Sequence, residues 1–412
     1  MANIVFGRSG VVFGKNIVFA GNLSITEVTP NDPIRDNSAD ITLYDRQGNI
    51  LARFGDDIQN NPLISVEFAQ NETGCGEFTL VLGFYPPGIT EIPLGTRIDI
   101  CLYADSQPWY SGYVIERPAP GSTKKPLEFT GYGFYDQLDK QLINKTYEGV
   151  DIAAIVRDIV RTIEPQCDIK YRDSKIYNVG YTVGKLEFVN ATAKEAMEQL
   201  VEFAADYVCG VDQYRELYFA PINNDINEKA RFYVGKHLAQ FEPRETLDDM
   251  LNYVVAKGGL LDDDAGENVT RTSVNMTSVS MYGYRAGVVD TPFSMTATDI
   301  QRYADMQVAK LKDPRKYASI DNASLYIVNY DGTISPRKLF VDGLARIVSE
   351  DGLYSYDYPI SELRYKISSA GVRCDMELGD TRKPVERWFI GLQRDAANAE
   401  AFEAANTKQL SS

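Results

Sequence analysis

Residues 127–163 change their hydrophobic period once, and this change restricts what the chain can fold into. Residues 127–138 have the aromatic residues and glycines typical of a strand that runs into a turn or short helix. The last part of the stretch has apolar residues at helical spacing: Ile152, Ile155, Val156, Ile159, Val160 and Ile163. The pattern predicts that a β-domain ends near Leu138 and that an α/β unit starts near Asp151.

The length and composition of the chain predict several ordered domains rich in β-structure. At 412 residues the chain exceeds what one ordinary hydrophobic core organises, and its hydrophobic fraction of 44% is normal for folded proteins. Its 26 tyrosines against 2 tryptophans favour half-buried strands and interfaces, because tyrosine has an apolar body and a polar tip.

The net charge of −16 argues against a protein that reads nucleic-acid sequence, which needs a basic surface. It argues equally against adhesion to an anionic membrane. Nucleic acid can still slide past an acidic surface without being held. No apolar run approaches a membrane span, and the N-terminus lacks the basic-then-apolar order of a signal peptide, so we expect no stable membrane association.

The cysteines and the histidine favour structural roles. The cysteines are far apart and form no Cys-x-x-Cys pair: Cys75, Cys101, Cys167, Cys209 and Cys374. Free thiols of a protein made in a reducing cytoplasm are favoured over a metal site or disulfides. The single histidine, His237, leaves almost no material for histidine-based zinc sites or for catalytic triads.

Residues 1–39 combine a repeat of three apolar residues with a polar linker, which predicts a β-rich extension that packs on the body or on another subunit. Residues 40–145 then alternate apolar and polar residues between turns rich in glycine and proline, which predicts an antiparallel sheet or barrel. The residues expected to build this sheet are Phe78, Leu80, Leu82, Ile98, Ile100, Leu102, Tyr110, Tyr113, Phe129 and Tyr132.

Residues 146–227 have the pattern of a small α/β domain. The helix at 151–163 is followed by a second helix, for which Thr192 is the expected N-cap ahead of Glu195. A hairpin that turns at residues 213–215 completes the unit.

Residues 228–380 return to β character. We expect strands at 250–257 and 269–279, and a helix opened by Thr298. A hairpin of residues 363–367 with 372–378 ends the domain. Residues 381–412 are expected to form a loose helix or tail.

The sequence contains little that indicates a metal site or a catalytic site. Asp262, Asp264 and Glu267 are weak candidates for calcium ligands, but their spacing is not that of an EF-hand loop, so a solvated loop tip is favoured. No local pattern selects a catalytic carboxylate pair. Gly131-Tyr132-Gly133 lacks the further residues of a phosphate-binding loop. We therefore expect no catalytic residues, no cofactor and no enzyme activity.

Tyr354, Tyr356 and Tyr358 alternate, so they place aromatic rings on one face of a strand. Such a face can bind sugars, but packing within the sheet or against another subunit is favoured.

Four local patterns resemble the hub proteins of phage tails. This family is found at the baseplate centre of contractile tails and at the tail tip of siphophages, and is shared with the N-terminal region of type VI secretion spike proteins. The patterns are Gly74-Cys-Gly-Glu-Phe-Thr-Leu80, Trp109-Tyr-Ser-Gly-Tyr-Val114, Phe129-Thr-Gly-Tyr-Gly133 with the helix at 151–163, and Ala193-Lys-Glu-Ala-Met-Glu-Gln-Leu200 with Leu217-Tyr-Phe219. The repetitive N-terminus lies outside the family's common core.

The resemblance implies an α+β fold with two antiparallel β tube-like (barrel) domains, at 40–145 and 228–380, separated by the small α/β domain. It implies a homotrimer that forms a pseudo-sixfold ring and joins a hexameric tail tube to a threefold tip. The partners would be the tail tube or distal tail protein and a spike or tip protein, with genomic DNA only in transit. The ten sheet residues named above become candidates for the hub sheet and for subunit contacts.

The resemblance further implies a virion protein synthesised in the cytoplasm of the host bacterium. Two other functions stay open at this point: a receptor- or carbohydrate-binding tail-tip protein, and a tail-associated cell-wall hydrolase.

Overall fold

A computed structural model of the chain describes residues 39–55, 60–103, 105–119, 125–204, 206–259, 268–291, 296–328, 334–369 and 371–379. Antiparallel β-strands dominate this part of the protein, with a small number of helices.

The first strands alternate buried and exposed side chains, as predicted for a sheet with one face on a core. They are β1 (Asp40–Tyr44), β2 (Ile50–Gly55), β3 (Leu63–Asn71), β4 (Gly74–Leu82), β5 (Arg97–Cys101), β6 (Tyr110–Glu116) and β7 (Leu127–Gly133). A 3-10 helix, Phe134–Lys140, follows β7 directly, so the predicted exit from the sheet into a short helix is confirmed.

The next segment is an α/β insert that we define as residues 142–221. Its elements are β8 (Leu142–Asp151), α1 (Ile152–Ile163), β9 (Thr182–Thr192), α2 (Ala193–Ala204), β10 (Tyr207–Val211) and β11 (Leu217–Pro221). The Asp151 carboxylate caps α1 by accepting a hydrogen bond from the backbone of Ala153 at 2.9 Å. The predicted cap of α2 is confirmed, because Thr192 and Glu195 exchange backbone–side-chain hydrogen bonds of 2.7 and 3.1 Å.

The remaining described strands and helices are β12 (Ile226–Tyr233), β13 (Arg244–Thr246), β14 (Tyr253–Gly259), β15 (Asn268–Val274), α3 (Met276–Tyr282), β16 (Ala286–Asp290), α4 (Ala297–Leu311), β17 (Arg315–Ile320), β18 (Tyr326–Val328), β19 (Ile334–Pro336), β20 (Leu344–Val348), β21 (Ser355–Ser368) and β22 (Gly371–Gly379). The predicted hairpin near the end of the chain is confirmed as the antiparallel pair β21–β22.

Two helices begin at positions that the sequence prediction did not give, and capping explains both. The strand predicted at 269–279 ends at Val274, because the Asn275 side chain accepts a hydrogen bond from the backbone of Ser278 and starts α3. The last described helix begins before Thr298, because Thr296 and Asp299 form a capping box ahead of it.

One large sheet joins the two β-rich segments of the chain. Its strand order is β13-β17-β22-β21-β3-β4-β7-β6-β5-β1-β2, with further strands attached beside β4 and β21. The segments meet where β21 pairs antiparallel with β3, from Glu362 opposite Asn71 to Ser368 opposite Ser65. We call this pairing the seam.

Two hydrophobic cores follow from this arrangement. The first core lies on one face of the large sheet and takes residues from both sides of the seam, such as Phe68 and Tyr365. The second core lies in the α/β insert and also takes residues from α4, such as Ile300 and Tyr303. A three-stranded sheet, β15-β14-β16, packs against α4.

The predicted class, a β-rich α+β fold with antiparallel sheets, is confirmed. The predicted closure of the sheet into tubes is not confirmed, because the described strands form an open path that ends at β13 and β2.

Candidate assembly interface

The buried face of the large sheet holds most of the residues that the sequence singled out. These eight are at most 2% exposed in the first core: Phe78, Leu80, Leu82, Ile98, Ile100, Leu102, Tyr110 and Phe129. Leu102 lies just beyond β5, and the others lie within the predicted strands. Because these side chains are covered by their own chain, they can shape the sheet but cannot reach a partner.

Tyr113 and Tyr132 lie opposite each other on β6 and β7, on the other face of the sheet. The Tyr113 hydroxyl donates a hydrogen bond to the Asp136 carboxylate at 2.7 Å, and burial followed by this bond raises the pKa of Tyr113. Tyr132 is 41% exposed. The ring of Tyr113 also packs on Phe134 at 5.7 Å, so Tyr132 is the candidate with a side chain in a position to touch another subunit, and that contact stays a prediction.

A cluster of charges crosses the seam on the same face as Tyr132. The Arg364 guanidinium donates to the carboxylates of Glu67 at 3.2 Å, Glu77 at 2.9 Å and Glu362 at 2.8 Å. Burial alone would lower the pKa of Arg364, but the hydrogen bonds to Glu77 and Glu67 outweigh it and raise this pKa. Because Glu67 and Glu77 lie on one side of the seam and Arg364 on the other, the cluster ties the two segments together.

The strand registers place more acidic than basic residues on this exposed face between β22 and β7. The acidic residues are Glu67, Glu77, Glu128, Glu362, Asp375 and Glu377, and the basic residues are Arg364, Lys366 and Arg373. This charged face was not predicted, because the residues singled out in the sequence were the apolar ones. The alternation carried the signal, since a polar residue between two core residues must point the other way.

Both ends of the large sheet have an unpaired side in the part of the chain that is described. β2 pairs only with β1, and β13 pairs only with β17. Such an edge presents backbone donors and acceptors that another chain can pair with. β2 exposes Ile50 and Arg53, and β13 exposes Arg244 and Glu245.

The junction between the two cores depends on a glycine. Gly74, at the start of β4, has φ of +99°, and a Cβ there would lie 1.9 Å from the carbonyl oxygen of Val211 in β10. β4 and β10 pair at this point, so the α/β insert is joined to the large sheet by backbone contact that only glycine permits.

A cleft of about 410 Å³ opens beside this junction. Its walls mix apolar side chains with carboxylates, among them Val208, Phe340, Val341, Ile360, Glu72, Asp212 and Asp342. Asp212 is already paired with Lys175, and Asp342 accepts a hydrogen bond from Asn223 at 2.9 Å. The cleft therefore has a polar rim, and its aspartates Asp212 and Asp342 already interact with other side chains of the same protein.

His237 and the cysteines are packed within the chain. The His237 Nδ1 accepts a hydrogen bond from the backbone of Tyr233 at 3.2 Å, and burial, then the charges of Arg337 and Lys236, lower the pKa of His237 to about 4. All five cysteines lie in the described residues as free thiols, and burial raises the pKa of Cys75 to about 12 and of Cys101 to about 11.

The weak metal candidates Asp262, Asp264 and Glu267 lie outside the described residues. Within the described residues, no group of three or more histidine, cysteine, aspartate or glutamate side chains could hold a metal ion. In the same part of the chain, no helix has both the length and the apolar character to cross a membrane.

The alternating tyrosines divide between the core and the surface. Tyr356 and Tyr358 pack against Phe241, with ring centroids 5.7 and 6.1 Å apart, and Tyr358 is 2% exposed. Tyr354 is 60% exposed. Packing within the protein therefore accounts for two of the three rings.

No protein-family model matches the sequence, and no curated protein matches it either. Solved structures do match. The 43 kDa tail protein of prophage MuSo2 from Shewanella oneidensis superposes with a TM-score of 0.58 at 14% identity, covering 83% of this chain and 100% of that one.

Two further structures match over a similar extent. The tail protein from Neisseria meningitidis MC58 has a TM-score of 0.59 at 11% identity, covering 84% of this chain and 97% of that one. The prophage tail protein gp18 from Listeria monocytogenes EGD-e has a TM-score of 0.55 at 13% identity, covering 86% and 98%. The chain therefore has the fold of phage tail proteins, which confirms at the level of the fold the resemblance noted in its sequence.

Proposed function

We propose that the chain is a structural hub of a phage tail, the subunit of a homotrimeric, pseudo-sixfold ring that joins the hexameric tail tube to a threefold tip. The observation that carries this proposal is the large open sheet, which is built from two segments of the chain and whose two end strands have an unpaired side among the described residues. The fold that the chain shares with phage tail proteins supports its placement in a phage tail.

In this proposal, β2 of one copy pairs with β13 of the next. Such a head-to-tail contact forms either a closed ring or an open filament, depending on the rotation between copies. Exposed residues of opposite charge, Arg53 on β2 and Glu245 on β13, suit this pairing. Residues 40–145 and 228–380 would each supply one of the six units of the ring.

The acidic surplus on the exposed sheet face suits a lumen through which DNA passes. Carboxylates repel the phosphate backbone, so DNA would move through without being held. The partners would be the tail tube or distal tail protein on one side and a spike or tip protein on the other. The protein would act in the virion after synthesis in the host cytoplasm, through shape and self-association and without catalysis.

Disulfide trapping tests the ring directly. A double variant, Arg53→Cys with Glu245→Cys, places one thiol on each free edge, and paired antiparallel strands bring Cα atoms about 4.5–5.5 Å apart, which suits a disulfide. Mild oxidation should give covalent dimers and trimers on a non-reducing gel. We expect little background from the native thiols, because burial raises the pKa of all five cysteines.

Each single variant is the matched control and should stay monomeric on the same gel. Arg53→Cys with Arg244→Cys tests the neighbouring register. If neither double variant cross-links between copies, the edges do not meet. If the ladder continues well beyond trimers, the copies form a filament and the closed ring is wrong.

One observation favours receptor binding as a second candidate function. Leu353 and Tyr354 are 78% and 60% exposed in the turn between β20 and β21. Exposed aromatic rings can stack on sugars. Binding of the purified protein to host envelope sugars that is lost in Tyr354→Ala would support this function, whereas the hub alone requires no such binding.

A further inference from the structure

The cleft of about 410 Å³ beside Gly74 lies where three parts of the chain meet. Its walls come from the turn between β3 and β4, from the end of the α/β insert, and from the connection between β19 and β20 together with β21. Its volume falls within the range of about 300–1,000 Å³ that is usual for ligand sites in proteins. The cleft therefore has the size of a binding site, and its lining indicates what it can bind.

The charged residues that line the cleft are all acidic. They are Glu72, Asp212 and Asp342, and no lysine or arginine lines the cleft in the described part of the chain. The two aspartates already interact with side chains of the same protein. Glu72 is exposed, and its carboxylate has no partner among the described residues, although its backbone carbonyl oxygen accepts a hydrogen bond from Tyr218 at 2.7 Å. A cleft lined by one sign of charge attracts ligands of the opposite sign, so this cleft favours a cation.

A buried amide adds an unused hydrogen-bond acceptor to the lining of the cleft. Gln70 lines the cleft and is 4% exposed. Its Nε2 donates a hydrogen bond to the carbonyl oxygen of Trp109 at 2.6 Å, whereas its Oε1 has no hydrogen-bond partner among the described residues. Buried polar atoms nearly always have a partner, so this one indicates a donor from outside the described chain. Ammonium and guanidinium groups are cations that consist of such donors.

The apolar part of the lining restricts the kind of cation. Val208, Val341 and Ile360 line the cleft, and so does Ile222, which is 41% exposed. A metal ion does not suit these walls, and within the described residues no group of histidine, cysteine, aspartate or glutamate side chains could hold one. A lysine or arginine side chain does suit them, because its methylene stem packs on apolar surface while its charged end stays beside carboxylates.

We propose that this cleft binds a short segment of another protein, which carries a lysine or arginine between apolar residues. The basic side chain would enter the cleft beside Glu72, and an apolar neighbour would pack on Ile222. A second copy of this chain is a poor source of the segment, because one copy contains 58 acidic and 42 basic residues and two copies repel each other overall. The inference does not depend on ring formation, since the cleft lies within a single copy.

Two peptides test this binding on the full chain: acetyl-Ala-Leu-Lys-Leu-Ala-amide, and the same peptide with glutamine in place of lysine. Isotope-labelled methyl groups of Ile222 and Ile360 report by NMR whether the cleft is occupied. We expect the lysine peptide to shift both signals and to bind about tenfold more tightly than the glutamine peptide, because only lysine supplies a charged donor. Equal affinities, or signals that the lysine peptide leaves in place, would overturn the proposal.

Charge reversal at the cleft gives the second test. Glu72→Lys should abolish the shifts that the lysine peptide causes. Glu148→Lys is the matched control, because it makes the same change of charge at an exposed carboxylate of β8 that does not line the cleft, and it should bind as the unaltered protein does. An equal loss in both variants would show general attraction to an acidic surface and overturn the proposed site.

Pentylamine separates a protein segment from a free organic cation. It carries an ammonium group on an apolar stem but has no neighbouring residues that could pack on Ile222. We expect pentylamine to shift the same methyl signals with weaker affinity than the lysine peptide. If it binds as tightly as the peptide, the cleft recognises the cation alone, and the proposal of a protein segment is wrong.

Discussion

The two cores of the molecule are built from contacts of very different range. In the first core, residues meet across the seam, as Phe68 and Tyr365 do, and on the opposite face of the same sheet Arg364 and Glu67 are bonded over 297 positions of sequence. In the second core most partners are near each other, and even the hydrogen bond from Tyr303 to Glu202 spans 101 positions. Local contacts form at a lower loop-closure cost. We therefore expect the α/β insert to depend less on distant segments than the large sheet, which needs both β-rich segments at once.

The largest expected effect is on the first core. Phe68 is fully buried and stacks on Tyr365 across the seam, with centroids 5.0 Å apart. Phe68→Ala should lower the free energy of unfolding by about 3–5 kcal/mol. Hydrogen exchange followed by mass spectrometry should show lost protection in β21 and β22 as well as in β3.

Phe219→Ala is the matched control, because Phe219 is equally buried in the second core. Its lost protection should be confined to the insert and α4. If both variants open the same amides, the two cores form one cooperative unit and the contrast between them is wrong.

A substitution at the junction between the cores should lower the free energy of unfolding nearly as much. Gly74→Ala combines a strained φ with a clash against Val211, and should cost at least about 2 kcal/mol. Gly48→Ala has a similar φ of +87° but open space around its Cβ, so it measures strain alone. Urea unfolding of both variants separates the two effects. Equal losses would show that contact between β4 and β10 contributes nothing.

The single histidine should make the first core sensitive to acid. Its native pKa of about 4 lies below the value of 6.5 for an unperturbed histidine, so the unfolded chain binds the extra proton first. Stability should therefore fall as the pH drops from 6.5 to 4, by about 2 kcal/mol from this residue. His237→Gln should remove that part of the loss when urea midpoints at pH 7 and pH 4.5 are compared. An unchanged difference would mean that His237 titrates alike in both states.

The charged cluster at the seam should contribute least to the free energy of unfolding. Arg364 is one-third exposed, so solvent screens its three ion pairs, and Arg364→Met should cost about 1 kcal/mol. The loss should shrink in high salt, because screening weakens what the cluster provides. Lys140→Met breaks an exposed pair outside the seam and should have almost no effect. A loss that does not respond to salt would indicate lost packing instead of lost charge pairing.

Much of the fold was predictable from local patterns. Alternation identified the strands that bury Phe78 and Phe129, helical spacing identified α1, and helical spacing with the Thr192 cap identified α2. Capping also accounts for the two misplaced helix starts, since Asn275 and Thr296 start helices at positions where periodicity alone gave no boundary. Local chemistry of this kind is readable because all of its partners lie within four residues.

The seam was not predictable. Pairing of β21 with β3 depends on which distant strands share a register, and a single sequence contains no direct signal for that. The sequence therefore predicted two separate β-domains. It identified the apolar residues of the sheet but did not identify the charged residues, such as Glu67 and Arg364, on the opposite face. The contact residues between subunits stay a prediction for the same reason, because they depend on a partner's surface.

The mass of the purified protein in solution tests the proposed hub most directly. Light scattering at micromolar concentration should give about three times the 46.1 kDa of one chain, and Ile50→Lys on the edge of β2 should reduce that mass to a single chain. A stable monomer for the unaltered protein, with both sheet edges left unpaired, would contradict a self-assembling ring.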